Sequence, residues 1–253
     1  MALRQEPHVL VVGGSDSSGG AGVARDIETI SAAGVRTCLA VTAVTVQTHD
    51  AVMAIHHLQP GLVADQMRAA LRANRVSAIK IGMLSTGRVI VAVAAVLSEF
   101  PRIPAVLDPV LASSSGKALL EANAIGVMKR NLMPLCHLVT PNLVELATLV
   151  DSELAGNDDD ILRQGKRLLA FGPQALLLKG GHATGPQSTD ILLSSNQKSI
   201  RFEAPRGTGT MRGTGCMLAS AIAAHLANAR SLHDSVVEGK RFVLNRLKES
   251  SAG

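Results

Sequence analysis

The sequence predicts a doubly wound α/β fold, a mostly parallel sheet with helices on both faces. Three observations predict it. Apolar runs of strand length alternate with longer stretches of helical periodicity along the chain, the pattern of repeated βαβ units. Runs such as His8-Val9-Leu10-Val11-Val12 are apolar without a break, as strands covered on both faces must be. The runs stop at glycine-rich or polar loops, where open α/β sheets place their ligands. With 253 residues, 47% of them hydrophobic, the chain can bury one full core. It is read as a single domain over 1–253, with flexible ends at 1–7 and 249–253.

The first strand, from His8, stops at Gly13-Gly14. The small polar loop through Gly22 leads into a helix to about Ala33, where Val23, Ile27, Ile30 and Ala33 keep helical spacing and leave Asp26 off the stripe. Residues 35–46 read as a strand ending in Gln47-Thr48-His49-Asp50. A short strand follows at 53–58, then a helix at 61–74 with Leu62, Met67, Ala70 and Leu71 inward. The strand 77–81 stops at Gly82-Met83-Leu84, and a helix runs to about Phe100. Next come the strand 105–108 with its loop to Gly116, a helix at 117–131, a strand at 136–139 and the loop Thr140-Pro141-Asn142. Helices at 143–150 and 159–171 precede the strand 175–179, which runs into Gly180-Gly181. From Asp190 to Glu203 the pattern changes to two short strands around Ser195-Asn196-Gln197, a hairpin on the sheet edge. Helices at about 214–228 and 232–248 close the chain.

Composition narrows the partners. The formal charge is +5, from 25 basic against 20 acidic residues scattered along the chain. That balance favours an anionic ligand over a nucleic-acid arm. With four Phe and no Trp or Tyr, stacking platforms for bases are nearly absent. Cys38, Cys136 and Cys216 have neither metal-ligand spacing nor the number for a disulfide framework, which fits a reducing cytoplasm. No window reaches the roughly 20 apolar residues of a membrane span, and no apolar signal core opens the chain.

The strand ends hold Gly13 to Gly22, Gln47, Gly82 to Leu84, Asp108 to Gly116, Asn142 to Glu145 and Lys179 to Gly181. To these is added the turn Gly213-Thr214-Gly215-Cys216, which opens an Ala-rich helix and so presents unpaired N–H groups at the positive end of its dipole. Glycine loops admit phosphate close to backbone, and carboxylates or amides hold Mg2+ directly or through water. Together they point to phosphoryl transfer from a nucleotide. No Walker A sequence and no protein-kinase signature set is present.

Six stretches in order carry a resemblance: Gly14-Ser15-Asp16-Ser17-Ser18-Gly19-Gly20-Ala21-Gly22, Lys80-Ile81-Gly82-Met83-Leu84, Asp108-Pro109-Val110, Thr140-Pro141-Asn142-Leu143 with Glu145, Lys179-Gly180-Gly181-His182 and Gly213-Thr214-Gly215-Cys216. The chain resembles, from about residue 8 to 245, the hydroxymethylpyrimidine/phosphomethylpyrimidine kinases of thiamine biosynthesis. The resemblance implies a ribokinase-like three-layer αβα sandwich with a mostly parallel central sheet and a small edge hairpin. It also implies ATP and Mg2+ as cosubstrates, a small aminopyrimidine acceptor, a homodimer, and no nucleic-acid or membrane partner. Position by position, Cys216 matches the base, with a pKa lowered by the helix N-terminus, and Gly213, Thr214 and Gly215 match the anion hole. Gly14, Asp26, Gln47, Met83 and Val110 match the pyrimidine pocket. Asp108, Asn142 and Lys179 match groups near the nucleotide, with Asp108 and Glu145 near the metal. Arg212 stands where the family usually has His, before the turn, and is assigned to the nucleotide.

Each residue also has an ordinary explanation. Cys216 reads equally as a small buried hydrophobe, Asp16 as a helix cap, Asp26 as a solvated helix residue, and Met83 as core. Asn142 and Glu145 have the three-residue spacing of a capping box, and Lys179-Gly180-Gly181 reads as a strand end and turn. Two rival functions stay open: a pyridoxal kinase of the same superfamily, and a catalytically weakened pyrimidine sensor suggested by Met211-Arg212.

Overall fold

The computed structural model of the protein describes residues 6–180, 187–195, 197–205 and 211–251. Its strands are β1 (His8–Ser15), β2 (Arg36–Gln47), β3 (Val52–His57), β4 (Val76–Ile81), β5 (Ala105–Leu107), β6 (Leu138–Val139), β7 (Ala175–Leu178), β8 (Gln187–Ser194) and β9 (Ile200–Pro205). They form one sheet in the order β3-β2-β1-β4-β5-β6-β7-β8-β9. Pairing is parallel from β2 through β7, while β3 at one edge and the β8–β9 hairpin at the other run antiparallel. The chain winds outward from β1 to β2, then returns to place β4 on the other side of β1. That reversal opens a crevice beyond the carboxyl ends of β1 and β4, the place where such sheets bind ligands.

The strands alternate between two buried layers. Leu10, Val12, Ile79, Ile81 and Leu107 pack on α2 (Pro60–Ala73), α3 (Gly87–Glu99), α5 (Leu143–Leu149) and α6 (Asp158–Leu169). Val9, Val11, Ala78, Val106 and Leu177 pack on α1 (Gly22–Ala32), α7 (Thr214–Ala227) and α8 (Leu232–Ser251). Each fully buried Val, Leu or Ile among them contributes about 1.5–3 kcal/mol by leaving water. α7 is buried nearly all round, from Met217 through Ala224, because its alanines let sheet and helices approach closely.

Three expectations need correction. In α1 the buried positions are Val23, Asp26, Thr29 and Ile30, while Ile27 is 39% exposed. A buried cation, Lys80, draws Asp26 inward and turns Ile27 out. In α2 the inward set is Val63, Ala64, Met67 and Leu71, which leaves Leu62 half exposed. The helix expected at 117–131 is mostly absent. Gly116 takes a left-handed φ of 85°, and Leu119 N–H donates to Leu111 O at 2.8 Å, so residues 111–119 fold back as a small hairpin with Ala112 opposite Ala118. Helix resumes only as α4 (Ala124–Val127), running into a π turn at Met128–Leu132 and a 3-10 turn at Met133–Leu135. Lys117 at the hairpin tip donates to Val52 O at 2.7 Å, tying this loop to β3.

Glu6 is held by an ion pair with Arg36 and accepts from His8 Nδ1 at 2.8 Å, and α8 continues to Ser251. Residues 1–5 and 252–253 lie outside the described residues, as do Gly181, His182, Asn196 and Gly207 to Thr210. No helix among the described residues is long and apolar enough to cross a membrane.

Candidate active site

At the carboxyl ends of the parallel strands lies a cleft of about 1110 Å³, and every site residue named from the sequence lines it. Its floor is where two helix N-termini meet. α1 begins after Ala21 and α7 after Gly213, and neither helix has a side-chain N-cap; the first N–H of α1, that of Gly22, reaches Cys216, and the opening turn of α7 offers its N–H groups to a ligand. Asp16, expected as the cap of α1, instead accepts from Ser18 N–H at 2.8 Å and Ser18 Oγ at 2.7 Å within the loop.

Two glycines make this meeting possible. Gly22 (φ 59°) and Gly213 (φ 74°) are both left-handed; a Cβ would lie 2.5 Å from Gly14 O at the first and 2.6 Å from Gly20 O at the second. Any side chain would push the two loops apart. Cys216, on the first turn of α7, is reached by the Gly22 N–H and donates its S–H to Asp108.

The thiol does not have the lowered pKa expected of it. Burial pushes Cys216 up to about 12; Lys80 and the Gly22 N–H oppose the rise, and Asp108 and Asp26 add to it. Desolvation outweighs the helix end in this dry pocket, so the thiol is protonated at neutral pH in the ligand-free protein.

One half of the cleft belongs to β1, β2 and β4. Gly14 packs on Met83, whose sulfur a Cβ at Gly14 would meet at 2.9 Å. Gln47 closes the end of β2, with its backbone locked to Ser17 Oγ at 2.7 and 2.8 Å. Val110 stands opposite, at the start of the 111–119 hairpin. Asp26 lies here too, but its carboxylate is already spent: Lys80 Nζ donates to it at 2.8 and 2.9 Å, and Ser220 Oγ at 2.8 Å. Asp26 still lines the cleft, while its reading as a solvated residue is corrected, since it is 1% exposed.

Arg212 is also found in this half. Its Nη1 donates to Thr48 O at 3.0 Å and Ser18 Oγ at 3.2 Å, and Nη2 lies 3.5 Å from Asp16 Oδ2. Burial works against ionisation of Asp16, yet the Ser18 bonds, the Gln47 amide and Arg212 together hold its carboxyl below the usual range. Arg212 therefore clasps the opening turn of α7 to the loops after β1 and β2.

The other half is built on β5 to β9. Lys179 Nζ lies 2.8 Å from Asp108 Oδ1 and 3.9 Å from Glu145 Oε2. Asn142 and Glu145 form the full capping box of α5, each bond 2.8 Å long. Burial raises Glu145 to about 7; Lys179 lowers it and Asp108 raises it. Gly180 N–H donates to Asp190 Oδ1 at 2.9 Å, and Lys240 of α8 holds Asp190 Oδ2 at 2.7 Å. Val243, Leu244 and Leu247 of α8, with Leu218 of α7, give this half an apolar wall. Sequence reasoning missed the wall, Asp190 and Lys240. It also missed Lys80, although a lysine inside the apolar strand Val76–Ile81 was a readable signal.

Among the described residues no group of three or more His, Cys, Asp or Glu gathers as a metal cage. Asp108 and Glu145 fit a cation that takes one or two carboxylates and otherwise water and phosphate oxygens, which is how Mg2+ is usually held. A carboxyl raised to about 7 is also one that an added cation would ionise.

The family model described as phosphomethylpyrimidine kinase matches residues 16–252. The chain belongs to that family. A hydroxymethylpyrimidine/phosphomethylpyrimidine kinase of Mycobacterium tuberculosis is 41% identical over 244 residues, 96% of this chain and 88% of that protein. The bifunctional thiamine biosynthesis protein ThiED of Geobacter sulfurreducens is 39% identical over 237 residues, and this chain spans 48% of its length. Among solved structures, the phosphomethylpyrimidine kinase of Clostridium difficile superposes with a TM-score of 0.82 at 32% identity, covering 96% of this chain and all of that one. The pyridoxal kinase of Staphylococcus aureus in complex with pyridoxal gives 0.87 at 27% identity, covering 96% and 88%. The ribokinase-like three-layer fold is thereby shared with kinases of both substrate classes.

Proposed function

We propose that this family member transfers the γ-phosphoryl of ATP to the hydroxymethyl group of 4-amino-5-hydroxymethyl-2-methylpyrimidine, and then phosphorylates the monophosphate. The observation that carries the reading is the position of the Gly213–Cys216 turn. Gly213 abuts Gly20 and Ala21 of the loop after β1, and Gly215 abuts Lys179 and Asp108, so the turn joins the half-cleft lined by Gln47, Gly14 and Met83 to the one lined by Lys179, Asp108 and Glu145. An acceptor ring in the first and a triphosphate in the second would meet at the uncapped end of α7.

The residues then take defined parts. Gly14, Met83 and Val110 wall the ring, and Gln47 offers an amide to its polar edge. N–H groups of Thr214, Gly215 and Cys216 hold the transferring phosphoryl, and Lys179 and Asn142 lie toward the phosphates. Mg2+, when bound by Asp108 and Glu145, would neutralise phosphate charge. Cys216 stands at the acceptor oxygen; once its own proton has passed to solvent, the thiolate takes the hydroxyl proton as the oxygen attacks, so its raised pKa makes the thiolate scarce but strongly basic. The protein acts as one kinase domain, as a homodimer in the cytoplasm.

Purified protein is incubated with ATP, Mg2+ and either the hydroxymethylpyrimidine, its monophosphate or pyridoxal, and ADP release is followed. Release with both pyrimidines is expected. Release with pyridoxal alone would establish the rival kinase, which the 0.87 superposition on a pyridoxal kinase keeps in view. Tight pyrimidine binding without ADP release would establish the sensor.

A further inference from the structure

We propose that Lys80 is a positioning residue for phosphoryl transfer: a buried cation that fixes Asp26 and Ser220 beneath Cys216 and balances the negative charge gathered at the strand ends. The inference rests on the kinase reading. Among the described residues Lys80 is the largest fully buried side chain, only 1% exposed, one residue before the carboxyl end of β4. It points to the α1–α7 layer, like Ala78 two residues earlier. There its ammonium takes both oxygens of Asp26 and lies where a Cβ on Gly82 would be 3.0 Å away.

The network continues upward. Ser220 donates to Asp26 and stands four residues after Cys216, one turn along the same face of α7. Lys80 thus links β4, α1 and α7 under the one turn that must hold the phosphoryl group.

Its charge bears on that turn. The ammonium interacts with Cys216 and Asp108 as well as with Asp26, and Lys179 flanks the same pair from the other half of the cleft. Stability alone does not explain the pair, because replacing a buried ion pair with apolar groups is often neutral or favourable. A fixed cation in a dry pocket does serve transfer, since negative charge collects there when the phosphoryl arrives and no solvent needs to reorganise.

Three proteins test this: wild type, Lys80→Met, and Lys80→Met combined with Asp26→Asn. Lys80→Met leaves Asp26 uncompensated and is expected to melt well below wild type. The double variant has no stranded charge and is expected to regain most of that loss. Both are expected to lose about a hundred-fold in kcat while the KM for ATP moves less than about three-fold. A double variant with kcat within about three-fold of wild type would reduce the network to a structural brace and overturn the proposal. If the double variant does not fold, Asp26→Asn alone decides: it retains the cation and is expected to keep kcat within about ten-fold of wild type, and a loss of about a hundred-fold would overturn the proposal. A wild-type protein that phosphorylates no pyrimidine would refute the kinase reading, and the comparison would then be run on whichever acceptor releases ADP.

Discussion

Cys216 carries two opposed influences, a helix N-terminus that favours its thiolate and a desolvated pocket that opposes it, and burial wins by taking the thiol to about 12. Below that value the thiolate fraction grows about ten-fold per pH unit. The single-turnover rate of wild type is therefore expected to climb between pH 7 and 9. Cys216→Ala is expected to be flat over the same range and slower by roughly 10²–10⁴-fold, with pyrimidine affinity little changed. A rate equally pH-independent in both proteins would remove the thiol from proton transfer. Arg212 makes a second case at this scale. Since it clasps Ser18, Thr48 and Asp16, Arg212→Gln is expected to raise the pyrimidine KM roughly ten-fold and leave the ATP KM nearly unchanged. The opposite split, measured by steady-state kinetics, would return Arg212 to the nucleotide. Neither result was legible in the sequence. Motif position identified both residues, but dehydration and the direction of a long side chain depend on packing.

The elements matter through their ends. The capping box of α5 uses a carboxyl that burial raises from 4.5 to about 7. A group with a raised folded-state pKa contributes stability that is complete below about pH 4.5 and is lost as pH rises through 7. Glutamine keeps a capping box without the charge. In the presence of chelator, Glu145→Gln is expected to be more stable than wild type at pH 8, on the order of 1–3 kcal/mol, and to match it at pH 4. Equal melting temperatures at pH 8 would contradict this. α1 and α7 meet only because Gly22 and Gly213 are left-handed and closely approached. Gly213→Ala is expected to cost about 1–3 kcal/mol in denaturant unfolding and to lose turnover with it. An unchanged unfolding midpoint would mean that the two loops part without cost. Elements were read most faithfully where periodicity ran unbroken, as in β1, α3 and α7. They were misread at 117–131, because the hairpin there depends on Gly116 and on pairing between Leu111 and Leu119.

At the scale of the molecule, strand order does what no motif shows alone. The reversal between β1 and β4 brings segments from Gly14 to Glu145, and then Lys179 to Cys216, to a single cleft, with the α7 N-terminus between its halves. The alternation of strands and helices made this α/β arrangement legible, and strand ends marked the residues that line the cleft. The buried charge network of Lys80, Asp26 and Ser220 and the apolar wall on α8 arise from contacts between distant segments. They became visible only with the fold. The central claim is that the two halves serve one transfer, from ATP to the hydroxymethyl oxygen of a pyrimidine. Phosphorus NMR of a mixture of protein, ATP, Mg2+ and the hydroxymethylpyrimidine tests it most directly. The account predicts a new phosphomonoester resonance as ATP is consumed, followed by diphosphate resonances of the pyrimidine. ATP that stays intact, or that yields only inorganic phosphate, would contradict it.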